Sequence, residues 1–298
     1  MITPGEQKLI GEAPEFRRLL KTAHLVAPTD ANVLLLGESG TGKKLIARTI
    51  HGDSPRRDRP FVAVSCAGGS EAPIAFDPFD QAEQIAGGTL YIDEVVELSL
   101  ADQAQLLRFL QDAPLSGQPG PRVLAASTRD LWSAVESGEF RRDLYYRLYV
   151  VPVEIPSLRD RLEDIPLLLE HFIVVAAANH DLDRVRFTAT ADRLLRRYPW
   201  PGNVRELCNL CERMVILFSG CEIAPENLPW EIRRGESAAT DGLAFKLPAG
   251  GINLQDLEVE VIRQALTLAA GNKSRAARLL GLTRDTLLYR LRKYLISA

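Results

Sequence analysis

Seven consecutive residues, Gly37-Glu38-Ser39-Gly40-Thr41-Gly42-Lys43, have the types and spacing to hold a phosphate. Glycines let backbone N–H groups turn inward around an oxyanion, and the helix N-terminus that follows adds partial positive charge. Lys43 can then reach the terminal phosphates. The run follows an apolar segment, 33–36, that reads as a buried strand, and it opens a helical pattern carrying Leu45, Ile46 and Ile50. That strand-loop-helix context gives the pattern its meaning. Lys44 stands where many such loops place the Mg²⁺-binding Ser or Thr. Fifty residues after Lys43, a second apolar strand ends in Asp93-Glu94. Acids at that edge suit a Mg²⁺ ligand, Asp93, and a water-polarising base, Glu94. ATP or ADP with Mg²⁺ is the expected cofactor.

A second chemistry lies at the other end of the chain. Residues 271–298 carry seven basic side chains and one acid, a net charge of +6, which leaves −9 for everything before them. A basic end on an acidic body points to nucleic acid contacts at the C-terminus. Leu257, Val261, Ile262 and Leu266 give one helix an apolar stripe, and Gly271-Asn272 breaks it. A short helix over 274–280, a turn at Gly281-Leu282 and a helix from Thr283 complete a helix-turn-helix, whose second helix enters the major groove. Leu287 and Leu291 face the core, leaving Thr283, Arg284, Thr286, Tyr289, Arg290 and Lys293 on the other faces. Arg284, at the N-terminal end of the recognition helix, is nominated as a guanine reader, supplemented by Thr286 and Tyr289. Arg290, Lys293, Asn272, Lys273 and Ser274 are expected at phosphates. The segment 257–294 resembles the Fis-type helix-turn-helix, which implies dimers through the helix before the turn.

These residues need elements to position them. With 298 residues, 46% hydrophobic and 25% charged, the chain has the composition of a soluble globular protein. Apolar runs at 33–36, 61–64, 89–92 and 123–126, with helical stretches between, predict an α/β domain with a parallel sheet between helices. We expect this nucleotide-binding subdomain over 1–165 and an α-helical lid over 166–234, interrupted at Pro199-Trp200-Pro201-Gly202. A Gly- and Ala-rich linker follows over 235–251, and the all-α DNA-binding module occupies 252–298. No apolar run approaches the ~18 residues of a membrane span, and Met1 opens a polar segment, so a cytoplasmic protein is expected. Four cysteines, two of them as Cys208-x-x-Cys211 on a predicted helix, suggest packing rather than metal or redox chemistry.

Across nearly its whole length the chain resembles the AAA+ and DNA-binding portions of the bacterial enhancer-binding proteins, the NtrC class. The resemblance rests on Leu9-Ile10-Gly11, the GESGTGK loop, GGTLYIDE (87–94), FRRDLYYRL (140–148), IPSLRDRLEDI (155–165) and WPGNVREL (200–207). It implies that Ile10 contacts the nucleotide and that Arg205 senses it from the lid. It further implies that Arg141 and Arg147 are arginine fingers reaching a neighbouring subunit's phosphate, hence a ring of six or seven. No receiver or ligand-sensing domain precedes the AAA+ module in this sequence, leaving the chain either complete and controlled in trans or truncated. Three positions depart from the family: Lys44 replaces a Glu, Ser65 an Asn that bonds the catalytic Glu, and Thr128 an Asn at the γ-phosphate sensor. Binding is expected and hydrolysis is left open. The family grips sigma-54 through a GAFTGA loop. Here 20 residues, Ala67 to Ala86, fill that gap, about half the family's allowance, and no such string occurs. The loop between Leu110 and Val123 also looks trimmed. The resulting expectation is a promoter-binding regulator whose nucleotide controls oligomerisation and which acts on the major sigma-factor holoenzyme of RNA polymerase, or as a repressor. The rivals are a sigma-54-dependent ATPase and a nucleotide-binding scaffold without its own promoter.

Overall fold

The computed structural model describes residues 9–66, 85, 87–112, 120–234, 254–269, 272–280, 282 and 284–294. A five-stranded parallel sheet organises the N-terminal part. Strands β1 (Val33–Leu36), β2 (Phe61–Ser65), β3 (Thr89–Asp93), β4 (Arg122–Ser127) and β5 (Val151–Glu154) are ordered β2-β3-β4-β1-β5. Their registers align Ser65 with Asp93, and Leu36 with both Ser127 and Glu154, so the strand ends share one edge. In open parallel sheets ligands bind at that edge, where the strand order reverses.

The apolar runs become strands because both faces of the sheet are covered. Side chains alternate between faces, as strand geometry requires. Leu34, Leu90, Ile92 and Val123 pack on one side with Leu106 and Phe109 of α3 (Leu100–Asp112). Leu35, Tyr91 and Leu124 pack on the other with α1 (Pro14–Val26) and α2 (Lys43–Gly52). Two arginines hold this layer together from within. Arg122, 2% exposed, donates to the carbonyls of Val26, Ala27 and Ala31, closing the C-terminus of α1. One Nη of Arg56 donates to the carbonyls of Gly87, Gly88 and Gly120, while the rest of its guanidinium meets Asp30.

Short helices α4 (Leu131–Glu136) and α5 (Arg142–Leu148) precede β5. The lid comprises α6 (Ile165–His180), α7 (Ala189–Arg197), α8 (Asn203–Phe218) and α9 (Trp230–Arg234). Its core closes around Trp200, fully buried between α7 and α8, whose indole N–H donates to Leu195 O at 2.9 Å. The lid was expected to be all helical. It also holds a two-residue parallel pair, β6 (Arg186–Phe187) with β7 (Glu222–Ile223), too short for a hydrophobic period to announce.

Helices α10 (Leu254–Leu268), α11 (Lys273–Leu279) and α12 (Arg284–Lys293) form a separate compact unit around Ile262, Leu266, Ala276, Leu287 and Leu291. Contacts divide the chain at Ala238. The expected linker, 235–251, and most of the two loops expected to be trimmed (67–84, 86 and 113–119) lie outside the described residues. No described helix is long and apolar enough to cross a membrane.

Candidate functional site

The chain leaves β1 at Leu36, and Gly37 N–H still bonds Ser127 O of β4 at 3.2 Å, so the loop starts from a fixed edge. Gly40 and Gly42 then take φ of +79° and +101°, left-handed values that glycine adopts without penalty. Space also demands glycine at Gly40, where an added Cβ would sit 2.2 Å from Gly202 O. α2 begins at Lys43, turning its free N–H groups and its dipole toward the loop. Lys43 is 7% exposed; its ammonium donates to Gly37 O (2.9 Å) and Glu38 O (3.3 Å) and lies 3.3 Å from Glu94 Oε1.

Asp93 ends β3 and accepts the Tyr91 hydroxyl at 2.9 Å. Burial, reinforced by the neighbouring Asp93 charge, pushes the Tyr91 phenol well above its ordinary pKa, so it stays a donor. Glu94 follows with φ of +56°, a strained value for a residue with a Cβ, which throws its side chain back across the strand ends. Its Oε2 accepts both the N–H (2.9 Å) and the hydroxyl (2.8 Å) of Thr128, just past β4. Lys43, Glu94 and Thr128 therefore form one cluster. Sequence comparison gave the Glu-bonding position to Ser65, but among the described residues no hydrogen bond joins Ser65 to Glu94.

A cavity of about 540 Å³ opens beside the loop, lined by Ile10, Gly40, Thr41, Gly42, Lys44 and Arg205, with Leu45, Phe172 and Val204 among its apolar walls. Such a mix of apolar walls and a few directed polar groups suits a nucleotide. Arg205 donates to Ser39 Oγ at 2.9 Å, and its N–H to Gly40 O at 3.3 Å. The side chain of Glu38 points away from the loop's interior, onto Arg159 and Asn203. These two hydrogen-bond partners, Arg159 first, hold its carboxyl below the usual carboxylate range. Sequence reasoning assigned no role to Arg159 or Asn203, although both sit inside motifs it had singled out. Thr41 turns its hydroxyl onto Glu38 O at 2.8 Å. No group of three or more His, Cys, Asp or Glu among the described residues could hold a metal ion.

Arg141 and Arg147 are exposed, and neither hydrogen-bonds to the phosphate loop of its own chain. Arg141 makes a two-pronged pair with Asp143 (3.0 and 2.7 Å), and Arg147 donates to Leu110 O at 3.0 Å. Cys211 is fully buried in the lid core and Cys208 half-buried, both as free thiols; burial raises their pKa values, which makes them unreactive.

In the C-terminal unit Asn272 Oδ1 accepts from the N–H groups of Ser274 and Arg275 at 3.1 Å, so this oxygen caps α11. Arg290 pairs with Glu258 of α10, which also accepts the Tyr294 hydroxyl. Arg290 thus ties the recognition helix to α10. Lys273, Ser274 and Tyr289 are exposed, Lys293 lies over the Tyr294 ring, and Thr286 is half-buried. Thr283 and the side chain of Arg284 lie outside the described residues.

Three family models match in series: a sigma-54 interaction domain over 10–158, an AAA+ ATPase lid domain over 159–244, and a bacterial regulatory protein of the Fis family over 253–294. The transcriptional regulatory protein ZraR of Salmonella typhimurium is 42% identical over 307 residues, covering 95% of this chain and 68% of its own length. The transcriptional regulatory protein XylR of Pseudomonas putida is 38% identical over 325 residues, covering 97% and 57%. Among solved structures, NtrX from Brucella abortus in complex with ATP superposes with a TM-score of 0.73 at 30% identity, covering 97% of this chain and 69% of NtrX. The same protein is also known in complex with ADP, with a TM-score of 0.72.

Proposed function

This chain belongs to the AAA+ family of transcription regulators built on the sigma-54 interaction domain, and from that premise we propose an ATP-controlled, promoter-binding regulator that acts without sigma-54. The observation that carries the nucleotide reading is the continuity of cradle and cavity. Left-handed glycines, a helix N-terminus and Lys43 meet a largely apolar-walled cavity that Arg205 also lines. ATP and ADP fit this donor set, as they fit NtrX. Mg²⁺ would arrive on the phosphates, with Asp93 as its protein ligand and Glu94 nearby. Bound metal would supply charge neutralisation between the phosphates. Because Thr128 holds Oε2 with two donors, Glu94 would take a proton from water through Oε1, or through Oε2 once Thr128 lets go.

Independence from sigma-54 rests on the missing GAFTGA string and the 20-residue gap. The match to ZraR runs over 307 residues, more than this chain contains, so ZraR has residues without a counterpart here. The matched sigma-54 interaction domain favours a second reading, a sigma-54-dependent activator ATPase. The C-terminal unit would bind duplex DNA as a dimer, with Lys273, Ser274 and Lys293 at phosphates and Arg284 and Tyr289 at bases. Arg141 and Arg147 would leave their resting partners for a neighbour's phosphate in a ring.

Two measurements test this together. Nucleotide binding and steady-state hydrolysis are followed across a protein concentration series for wild type, Lys43→Ala and Glu94→Gln. Binding lost in Lys43→Ala but kept in Glu94→Gln is expected; wild type that binds neither ATP nor ADP overturns the reading. Transcription reconstituted with each holoenzyme then separates the two mechanisms. ATP-dependent transcripts made only with sigma-54 would establish the second.

A further inference from the structure

Asn203 opens α8 at the lid's edge, yet it is 0% exposed and has a φ of +52°. A buried side-chain amide is costly unless each of its groups finds a partner. Both donors of Asn203 are used on the phosphate loop: Nδ2 donates to Glu38 Oε2 at 3.1 Å and to Ser39 O at 3.0 Å. Its oxygen accepts the N–H of Leu158, at the junction of sheet and lid, at 2.8 Å. One amide therefore joins the loop, the lid helix and the junction between them.

Its surroundings repeat the connection. Arg159, one residue past Leu158, grips the same Glu38 carboxylate from the other side. Two residues after Asn203, Arg205 bonds Ser39 and Gly40. Gly40 packs so closely on Gly202 O that no side chain fits between them.

We infer that Asn203 is a positioning residue for nucleotide. By holding Glu38 outward and Ser39 O in place, it sets the loop's shape and lodges Arg205 above the cavity. This deepens, and depends on, the reading of the cavity as a nucleotide site. Its consequence is that affinity for phosphate is conditional on the docking of lid to loop, through a group that never touches the ligand.

Reversing the polarity of the bond tests the inference. Asn203→Asp keeps the size, the tolerance of left-handed φ and the acceptor for Leu158, but sets a carboxylate against Glu38. ADP affinity, measured by calorimetry on the full chain, should fall by about tenfold. Adding Glu38→Gln restores a donor facing the introduced carboxylate, and the double variant should regain most of that loss, returning to within about threefold of Glu38→Gln alone. A residue of merely structural importance would lower the melting temperature without ADP and show no such rescue. Should Asn203→Asp fail to fold, Glu38→Ala carries the test from the partly exposed partner. It should weaken ADP about fivefold with the ligand-free melting temperature nearly unchanged. Wild-type affinity in Asn203→Asp, or in Glu38→Ala if that variant carries the test, overturns the inference, as does a double variant no better than Asn203→Asp. Wild type that binds no ADP instead overturns the nucleotide reading itself.

Discussion

Glu94 has accepted or faced three donors, from Lys43 and Thr128, before any phosphate arrives. Its left-handed backbone and its choice of Thr128 over Ser65 were not legible in the sequence, because a loop's dihedrals carry no period. The identity of Lys43, Asp93 and Glu94 as a group was legible, since strand, loop and helix signals surround them. Lys44 illustrates a residue whose effect can be weighed in advance. It is exposed on the cavity wall and makes no ion pair among the described residues, so its charge is available to phosphate. Wild type should therefore bind ADP in EDTA within about threefold of its affinity with Mg²⁺, whereas Lys44→Glu should lose about tenfold in EDTA. Calorimetry with and without metal reads both values. His51 offers a pH test. Burial lowers its pKa below the ordinary ~6.5, and its Nδ1 lies 2.9 Å from the Thr89 hydroxyl. The unfolded chain takes up that proton at higher pH than the folded one, so stability falls as pH drops from ~6.5 toward the folded pKa. Urea unfolding of His51→Gln over pH 7 to 5 should show a shallower slope than wild type.

Four of the five strands announced themselves as apolar runs: β1, β3 and β4 because both their faces are buried, and the half-buried edge strand β2 through Phe61, Val62, Ala63 and Val64. β5 did not: Val151-Pro152-Val153-Glu154 includes a proline and an acid, tolerable only because it lies at the edge beside β1. The lid's β6–β7 pair escaped for want of length. Helices were easier, since their stripes run over several turns. Arg122 marks the limit of such pattern reading, a buried cation at the start of β4, explained only by the three carbonyls it meets at the end of α1. Its removal should strand those acceptors at the end of α1. Arg122→Met is expected to destabilise the N-terminal unit by about 3 kcal/mol, measured as a lower urea midpoint at unchanged slope. A loss under ~1 kcal/mol would mean that water or a shifted backbone takes over the carbonyls.

Across the whole molecule, charge is segregated, −9 before residue 271 and +6 after it. DNA affinity should therefore depend steeply on salt, and individual cations should act differently. Lys273 is exposed, so Lys273→Ala should weaken all DNA sequences alike and lower the slope of log K against log salt by about 1. Arg290 is paired with Glu258, so Arg290→Ala should first lower the melting temperature of the C-terminal unit. A salt slope unchanged by Lys273→Ala would remove that residue from the interface. The charge split was visible in the sequence, but the internal use of Arg290 was not, because a helical wheel shows a face and not its occupant. Arg56 has a bearing on how such a chain can change over generations. Its guanidinium fastens Gly87, Gly88 and Gly120, the points where the chain returns to the sheet after 67–86 and after 113–119. Anchored roots make the intervening stretches interchangeable parts: they can be shortened, exchanged or grafted back while the nucleotide-binding frame keeps its shape. A lineage could thus give up one partner and acquire another by editing two loops alone.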